Sequence, residues 1–281
     1  SICQRAEVNL EIAHLKTCNP ANWHKIDIVI EKIEDAFVGG LPINADRYPY
    51  IAYGTGLSTF LPLWSRQGTN EEIIARLNDN ALLPKIKEYA DSRGNRIGGW
   101  KNVVISNVNN QTNKQYEGKN IIECAEISGI DPMDFIIKLL LDENLSVGMV
   151  GFAMNEDNLR RILKNRLVMI GSDGNATSQT GKLGEGKPHP RYYGTFARVL
   201  GKYCREEKLF DWETAINKMT YMPANKINLK NRGLLKNNYF ADIVVFNPNT
   251  IIDNATFVEP KQFAGGIEYV FVNGKLTVNK G

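Results

Sequence analysis

The segment Leu167-Val-Met-Ile-Gly-Ser-Asp-Gly174 is an apolar run that stops at a carboxylate set between small residues. It is too short for a helix and bounded by glycine, so it reads as a buried strand. Asp173 then stands at the C-terminal end of that strand, with Gly171 and Gly174 leaving open space around it. In α/β barrels and open α/β sheets, chemistry is placed at such strand ends. An aspartate there can equally cap a following turn or helix. The rest of the chain has to decide between the two roles.

From Glu7 to His14 the pattern alternates, with Val8, Leu10, Ile12 and His14 on one side of a strand that His14 closes. The residues before it, from Ser1, look like the tail of a helix, and this gives the expectation of a chain that starts inside a larger fold. A helix opens at Asn22-Trp23, repeats Ile26, Val29, Ile30, Ile33 and Phe37 at intervals of three and four, and stops at Gly39-Gly40. Leu41 to Asp46 is a second strand, which Pro49 prevents from continuing. Strand, helix and strand make a parallel βαβ crossover. Residues 51–68 read as a Gly-, Ser- and Pro-rich loop, followed by polar helices near 70–78 and 82–93. Asn102 to Asn107 is a third buried strand. Gly118–Ser128 and Asp131–Asn144 are helices, the second capped by Asp131 with Pro132 at its first position. With the strand-like Val147–Phe152, residues 109–153 read as an insertion before the helix that Asn155 caps. After Asp173 comes a long polar loop, then helices near 193–208 and 211–221. Residues 233–281 change to β segments and turn at Asn273-Gly274, a strong hairpin signal.

Bulk properties narrow the function class. Hydrophobic residues at 43% and charged residues at 23% suit a globular protein. The net charge of +3, without a basic block, gives no footprint for nucleic acid. No apolar run approaches a membrane span and no signal-peptide pattern opens the chain. Cys3, Cys18, Cys124 and Cys204 form no CxxC pair, which fits a reducing, cytoplasmic setting.

Taken together, Ile12-Ala-His-Leu-Lys16, Pro20-Ala-Asn-Trp23, Asp46-Arg-Tyr-Pro-Tyr50, Gly171-Ser-Asp-Gly174, His189-Pro-Arg191 with Gly194-Thr-Phe196, Gly233-Leu-Leu, Phe240-Ala-Asp-Ile-Val-Val-Phe246 and Val272-Asn-Gly274 resemble, in order, the C-terminal portion of the N-acyl-D-amino-acid deacylase (D-aminoacylase) family of the amidohydrolase superfamily. The resemblance implies an α/β fold: the C-terminal half of a (β/α)8 TIM-type barrel, strands 5–8, plus part of a small β-sandwich. Strand 5 would end at His14, strand 6 at the Asp46 segment, strand 7 would be Val103–Ser106 and strand 8 would end at Asp173. Residues 1–230 would form the partial barrel with its insertion, and 231–281 the C-terminal β unit. Strands 1 to 4, with the family's His-x-His pair and cysteine ligand, have no counterpart. The chain has three histidines and no His-x-His, and Cys3 and Cys18 are misplaced for that ligand.

The implied chemistry is amide hydrolysis by metal-activated water. By resemblance, His14 and Asp173 would be metal ligands for one or two Zn²⁺ in the full-length protein. Asp173 would also act as general base and then acid, and Arg191 would hold the substrate carboxylate. Without that context His14 would read as a satisfied core histidine and Arg191 as a solvated loop charge. Tyr48 stands where some relatives carry a further histidine ligand; it is assigned to substrate binding, with a structural role as the alternative. Lys16 either lines the pocket or pairs with Asp46, and Ser106 faces the site. His189 shapes its loop, His24 lies on the surface, and Asp242 and Gly274 serve the fold. The expected substrate is a small N-acyl amino acid. His189-Pro-Arg191 argues against a cyclic amide of the hydantoinase or dihydroorotase kind, because a free carboxylate partner suits an open amino acid. The reading from another class is a non-catalytic, truncated barrel that needs a partner chain. As a fragment it is expected to be inactive alone and, with open strand edges, to self-associate.

Overall fold

The computed structural model describes residues 2–6 and 8–280. Ser1 and Glu7, which the sequence reading places in the leading helix and at the start of the first strand, lie outside the described residues, as does Gly281. In chain order the elements are α1 (Ile2–Ala6), β1 (Leu10–Ile12), α2 (Ile26–Val38), β2 (Ile43–Arg47), β3 (Ala52–Gly56), α3 (Asn70–Leu77), α4 (Leu83–Arg96), β4 (Val103–Asn107), α5 (Ile121–Ser128), α6 (Pro132–Asp142), β5 (Gly148–Phe152), α7 (Glu156–Lys164), β6 (Val168–Ile170), α8 (Arg191–Arg198), α9 (Trp212–Met219), α10 (Tyr221–Lys226), β7 (Ile243–Phe246), β8 (Ile267–Val272) and β9 (Lys275–Asn279).

Three strands form a parallel sheet in the order β1-β2-β6. Leu10 pairs with Ile43, and Ala45 pairs with Val168. Alternation along β2 sends Ile43 and Ala45 to the helix-covered face, where they pack with Ile26 and Ile33 of α2 and Ile162 of α7. Asn44 and Asp46 face the other way. The predicted helix stripe holds for Ile26 to Ile33. Phe37 is instead 40% exposed, its ring covered by the Arg166 guanidinium at 4.7 Å. Gly40, at φ +86, ends the helix as glycine can.

Two expectations are corrected. Val103–Ser106 is a strand but not a member of the parallel sheet. It pairs antiparallel with β5, which also pairs antiparallel with β3, giving the order β3-β5-β4. A short buried run carries no record of its partner's direction, and here β5 takes up the edge of β4. Nor is 51–68 wholly loop, because Ala52–Gly56 is a strand whose glycines hide its alternation. The parallel sheet therefore passes directly from β2 to β6. Leu57, Phe60, Leu77, Ile86, Trp100, Ile105, Ile121, Phe135, Leu140 and Met149 pack into the core over this antiparallel sheet. Residues 109–153 share that core with 52–108.

The caps follow the residues. Thr69 with Glu72 and Asn120 with Glu123 form reciprocal capping boxes, and Asp131 and Asn155 accept from the first turns of α6 and α7. α8 runs on as a π-helical segment, Val199–Glu206. The tail is an antiparallel sheet in the order β7-β8-β9. Its Asn273-Gly274 turn has φ of +51 and +77, and Asp242 fixes it by accepting from the Asn273 N–H at 2.8 Å. Among the described residues, no helix is long and apolar enough to cross a membrane.

Candidate active site

The C-terminal ends of β1, β2 and β6 deliver three chemically capable segments to one edge of the sheet. His14 follows β1 and Asp173 follows β6, and both take left-handed backbone conformations, φ +42 and +47. Histidine and aspartate are among the few non-glycine types that enter this region, and such strained positions gather at functional sites. The His14 N–H donates to Asp46 Oδ1 at 2.8 Å, tying the end of β1 to β2. Gly171 packs closely beside them, and a Cβ there would lie 3.2 Å from the same Asp46 oxygen, a tight contact.

Lys16 reaches back to His14. Its Nζ is 2.8 Å from Nδ1 and donates to the His14 carbonyl at 2.9 Å. Of the two roles left open by the sequence, pairing with Asp46 is not what the geometry shows. Burial and then the charge of Arg47 pull the Lys16 pKa down to about 8.

Arg191 opens α8 and is 4% exposed, so it is no solvated loop charge. Its Nη2 pairs with Asp173 Oδ2 at 3.0 Å, and its Nε and Nη1 have no partner in the protein. The guanidinium lies 4.7 Å from the centre of the Tyr48 ring, and that of Arg47 lies 4.1 Å from the same ring. Tyr48 is fully buried, its hydroxyl unpartnered, and burial pushes its pKa up. It is a platform for Arg191 and does not line the cavity.

That cavity measures about 560 Å³, and Gly54, Ser106, Gly148, Asp173 and Arg191 are among its walls. Ser106 also anchors the rim, its carbonyl accepting from Lys187 N–H at 2.6 Å. The loop after Asp173 is strapped to the tail: Gln179 donates to the Lys261 carbonyl at 2.9 Å, and Lys261 Nζ donates to Gly184 O at 2.7 Å. The structure thus brings Asp173, Arg191 and Ser106 together at one cavity, while His14, Lys16 and Tyr48 stand outside its lining. Sequence reasoning missed the seat of the Tyr-Pro-Tyr segment. The Tyr50 hydroxyl donates to Asp253 at 3.3 Å, Arg198 pairs with Asp253 at 3.0 Å, and Arg198 Nε donates to Pro49 O at 2.8 Å. Gly194 was its one sequence signal, since a Cβ there would meet the Tyr50 hydroxyl at 2.6 Å.

Catalytic zinc is held by three protein ligands and a water. Among the described residues, no three His, Cys, Asp or Glu side chains converge on one point. His14 and Asp173 are suitable donor types at the ends of β1 and β6, the strands on either side of β2, but they do not make a complete ligand set.

A model of the amidohydrolase family matches residues 91–278. The chain belongs to this family. It is 41% identical, over 97% of its length, to a D-aminoacylase of Alcaligenes xylosoxydans xylosoxydans, and 32% identical over 94% to an N-acyl-D-glutamate deacylase of the same organism. It covers 46% and 44% of those two proteins. Among solved structures, the N-acyl-D-glutamate deacylase of Bordetella bronchiseptica, complexed with zinc and a phosphonate mimic of the tetrahedral intermediate, superposes with a TM-score of 0.75. There the identity is 28%, over 98% of this chain and 48% of that one. A D-aminoacylase with a binuclear metal centre gives 0.74 at 30% identity, over 99% of this chain and 48% of that one. The amidohydrolase chain described here therefore spans about half the length of the relatives it matches.

Proposed function

We propose that this chain supplies the Asp173–Arg191 side of a metal-dependent N-acyl-D-amino-acid deacylase site. On this reading residues 1–230 belong to strands 5, 6 and 8 of a (β/α)8 barrel with an inserted lobe, and 231–281 belong to a β-sandwich. The barrel strands that carry the other metal ligands lie in the remaining half of such an enzyme. The observation that carries the reading is the buried Arg191. Its Nη2 is committed to Asp173 while Nε and Nη1 are free, so one guanidinium can hold a substrate carboxylate and orient the neighbouring base.

The residues divide the work as follows. Arg191 binds the free carboxylate of the N-acyl amino acid with its guanidinium, beside the Nη2–Asp173 pair, and sets the scissile amide above the strand ends. Asp173 takes a proton from the attacking water and returns it to the amide nitrogen as the C–N bond breaks, leaving a carboxylate and a free amino acid. His14 and Asp173 would contribute to holding zinc, which when bound lowers the pKa of a water and polarises the carbonyl. Tyr48 keeps Arg191 in place from below, and Ser106 faces the same cavity. Lys16 supports His14.

The test is zinc content and hydrolysis of N-acetyl-D-amino acids, measured on this chain and on the complete gene product. Asp173→Asn is expected to lower kcat by at least about 10²-fold, the scale of a positioned general base, while the protein stays folded. An active parent whose Asp173→Asn variant keeps its rate refutes the assignment. Chelation is expected to abolish turnover, and added Zn²⁺ to restore it.

A further inference from the structure

His189 lies just before α8 and is 3% exposed. Its Nε2 is 3.0 Å from the Ala52 carbonyl oxygen, and its Nδ1 is 3.0 Å from the Arg191 backbone nitrogen. A carbonyl only accepts and a backbone N–H only donates. The two partners together therefore dictate a proton on Nε2 and a lone pair on Nδ1.

The bond to Arg191 fills a specific need. The first backbone N–H groups of a helix have no partner inside it. Pro190, at the N-cap position of α8, has no side-chain acceptor to offer. His189 supplies that acceptor from one residue earlier, while its other nitrogen is fixed to β3. The ring cannot swing away, because Tyr48, Tyr50 and Phe257 meet it edge-on with centroids at 5.8, 5.3 and 5.0 Å. The charged groups acting on it are Arg191 and Arg47, both cationic, and burial is the larger influence; its pKa is lowered to about 3.

We propose that His189 is a positioning residue, a neutral Nε2–H imidazole that locks the start of α8 to β3 and so aims the Arg191 guanidinium at the substrate carboxylate. This rests on the deacylase reading for the carboxylate, and on the hydrogen-bond geometry alone for the imidazole.

The experiment has two arms. In the first, nitrogen NMR of this chain reads the His189 tautomer and the Arg191 Nε–Hε resonance. The expected result is an Nε2–H imidazole and a distinct Arg191 signal that His189→Asn keeps, since asparagine at this spacing also accepts from the N–H two residues on. His189→Leu is expected to lose that signal. An Nδ1–H or charged imidazole in the unsubstituted chain, or an Arg191 signal unchanged in His189→Leu, overturns the proposal. In the second arm, kinetics of the complete gene product are expected to show KM raised about 10- to 100-fold in His189→Leu, as for a lost buried hydrogen bond. kcat is expected to change less than threefold or so, and His189→Asn to recover most of the KM effect. Equal KM in parent and His189→Leu overturns the positioning role while the deacylase reading stands. A parent without deacylase activity overturns that reading instead, and the arginine resonance then decides the case of His189.

Discussion

Replacing Lys218 by methionine tests how the strand leading to Asp173 is held. Lys218 is 1% exposed on α9. Its Nζ donates to the carbonyls of Asn165 and Val168, the latter at 2.7 Å, at the junction where α7 gives way to β6. Burial alone lowers its pKa from 10.5 to about 8. At about 1.4 kcal/mol per tenfold change, that is about 3 kcal/mol by which the fold disfavours the charged amine. The folded chain binds fewer protons than the unfolded chain between pH 8 and 10.5, so stability rises with pH across that window. At neutral pH the penalty is fully present. Raising the pH from about 7 to about 9.5 relieves about 2 kcal/mol of it. Methionine has no such term, but it leaves two carbonyls without a donor, at about 1–3 kcal/mol each. At about pH 9.5, where about 1 kcal/mol of the penalty remains, the variant is therefore expected to be less stable than the parent. The gap between parent and variant should widen by about 2 kcal/mol at the higher pH. Urea unfolding of both proteins at both pH values measures this difference and cancels the other titrating groups. A gap that stays flat or narrows would refute the reasoning, because the amine would then be charged in the fold at no cost.

Other expectations follow from single contacts. A Cβ at Gly54 would lie 3.7 Å from His189 Cβ and 3.8 Å from Arg191 Nη2, ordinary contact distances. Gly54→Ala is therefore expected to fold normally, and Gly54→Val to lower kcat/KM for N-acetyl-D-amino acids by roughly tenfold or more by filling the cavity beside Arg191, as steady-state kinetics would show. Glu143 is 4% exposed and accepts from the N–H groups of Asn109 at 2.6 Å and Asn110 at 3.0 Å, and from the Asn113 amide at 2.6 Å. Glu143→Gln turns an amide donor toward those donors, and a loss of about 2–4 kcal/mol is expected in chemical unfolding.

Local signals carried the sequence reading where the controlling interactions are themselves local. Asp131-Pro132 and Asn155 are a helix start and a cap whose partners lie within a few residues, and Asn273-Gly274 is a turn whose own residues accept the left-handed backbone; each was legible. β1, α2 and β2 were legible because one crossover buries them together. The direction of β4 was not, since it depends on β5, more than 40 residues later. Nor was β3, because Ala52-Tyr-Gly-Thr-Gly56 has two glycines where an alternating strand would show side chains. At the site, the strand pattern placed His14 and Asp173 at strand ends, and the family resemblance singled out these two and Arg191 for chemistry. Their relations were hidden. Nothing in His189-Pro-Arg191 announces that the arginine opens a helix and is buried over Tyr48, because the residues that meet it and the adjacent His189, Tyr48 and Ala52 on one side and Phe257 on the other, come from two distant parts of the chain.

The irregularities of the fold are not spread evenly, and their placement bears on what this edge of the sheet is for. Among the described residues, the buried side-chain nitrogens and oxygens without a hydrogen-bond partner belong to Arg47, Tyr48 and Arg191, with Arg66 Nε the exception elsewhere. Arg47 is 1% exposed with no carboxylate bonded to it; Nη2 donates to Tyr50 O at 2.5 Å and Met154 Sδ at 3.0 Å. Among the left-handed residues, Asn144, Leu145 and Lys208 end helices, Asn273 turns a hairpin and Lys280 follows β9 in the tail, whereas His14 and Asp173 stand just past strands of the parallel sheet. Unpaired buried polar groups and strained backbone cost about 1–3 kcal/mol each. A chain holds them only where the surrounding structure over-determines the geometry. Here the neighbouring lobe does so, with a large apolar core and satisfied polar groups such as Trp100 Nε1 on Asp91 at 2.9 Å and the Glu143 carboxylate. His189 is the junction between the two regimes. Both its nitrogens are satisfied, one by the lobe's first strand and one by the helix that begins with Arg191, so the rigidity of the lobe reaches a buried side chain at the cavity that retains unpartnered nitrogens.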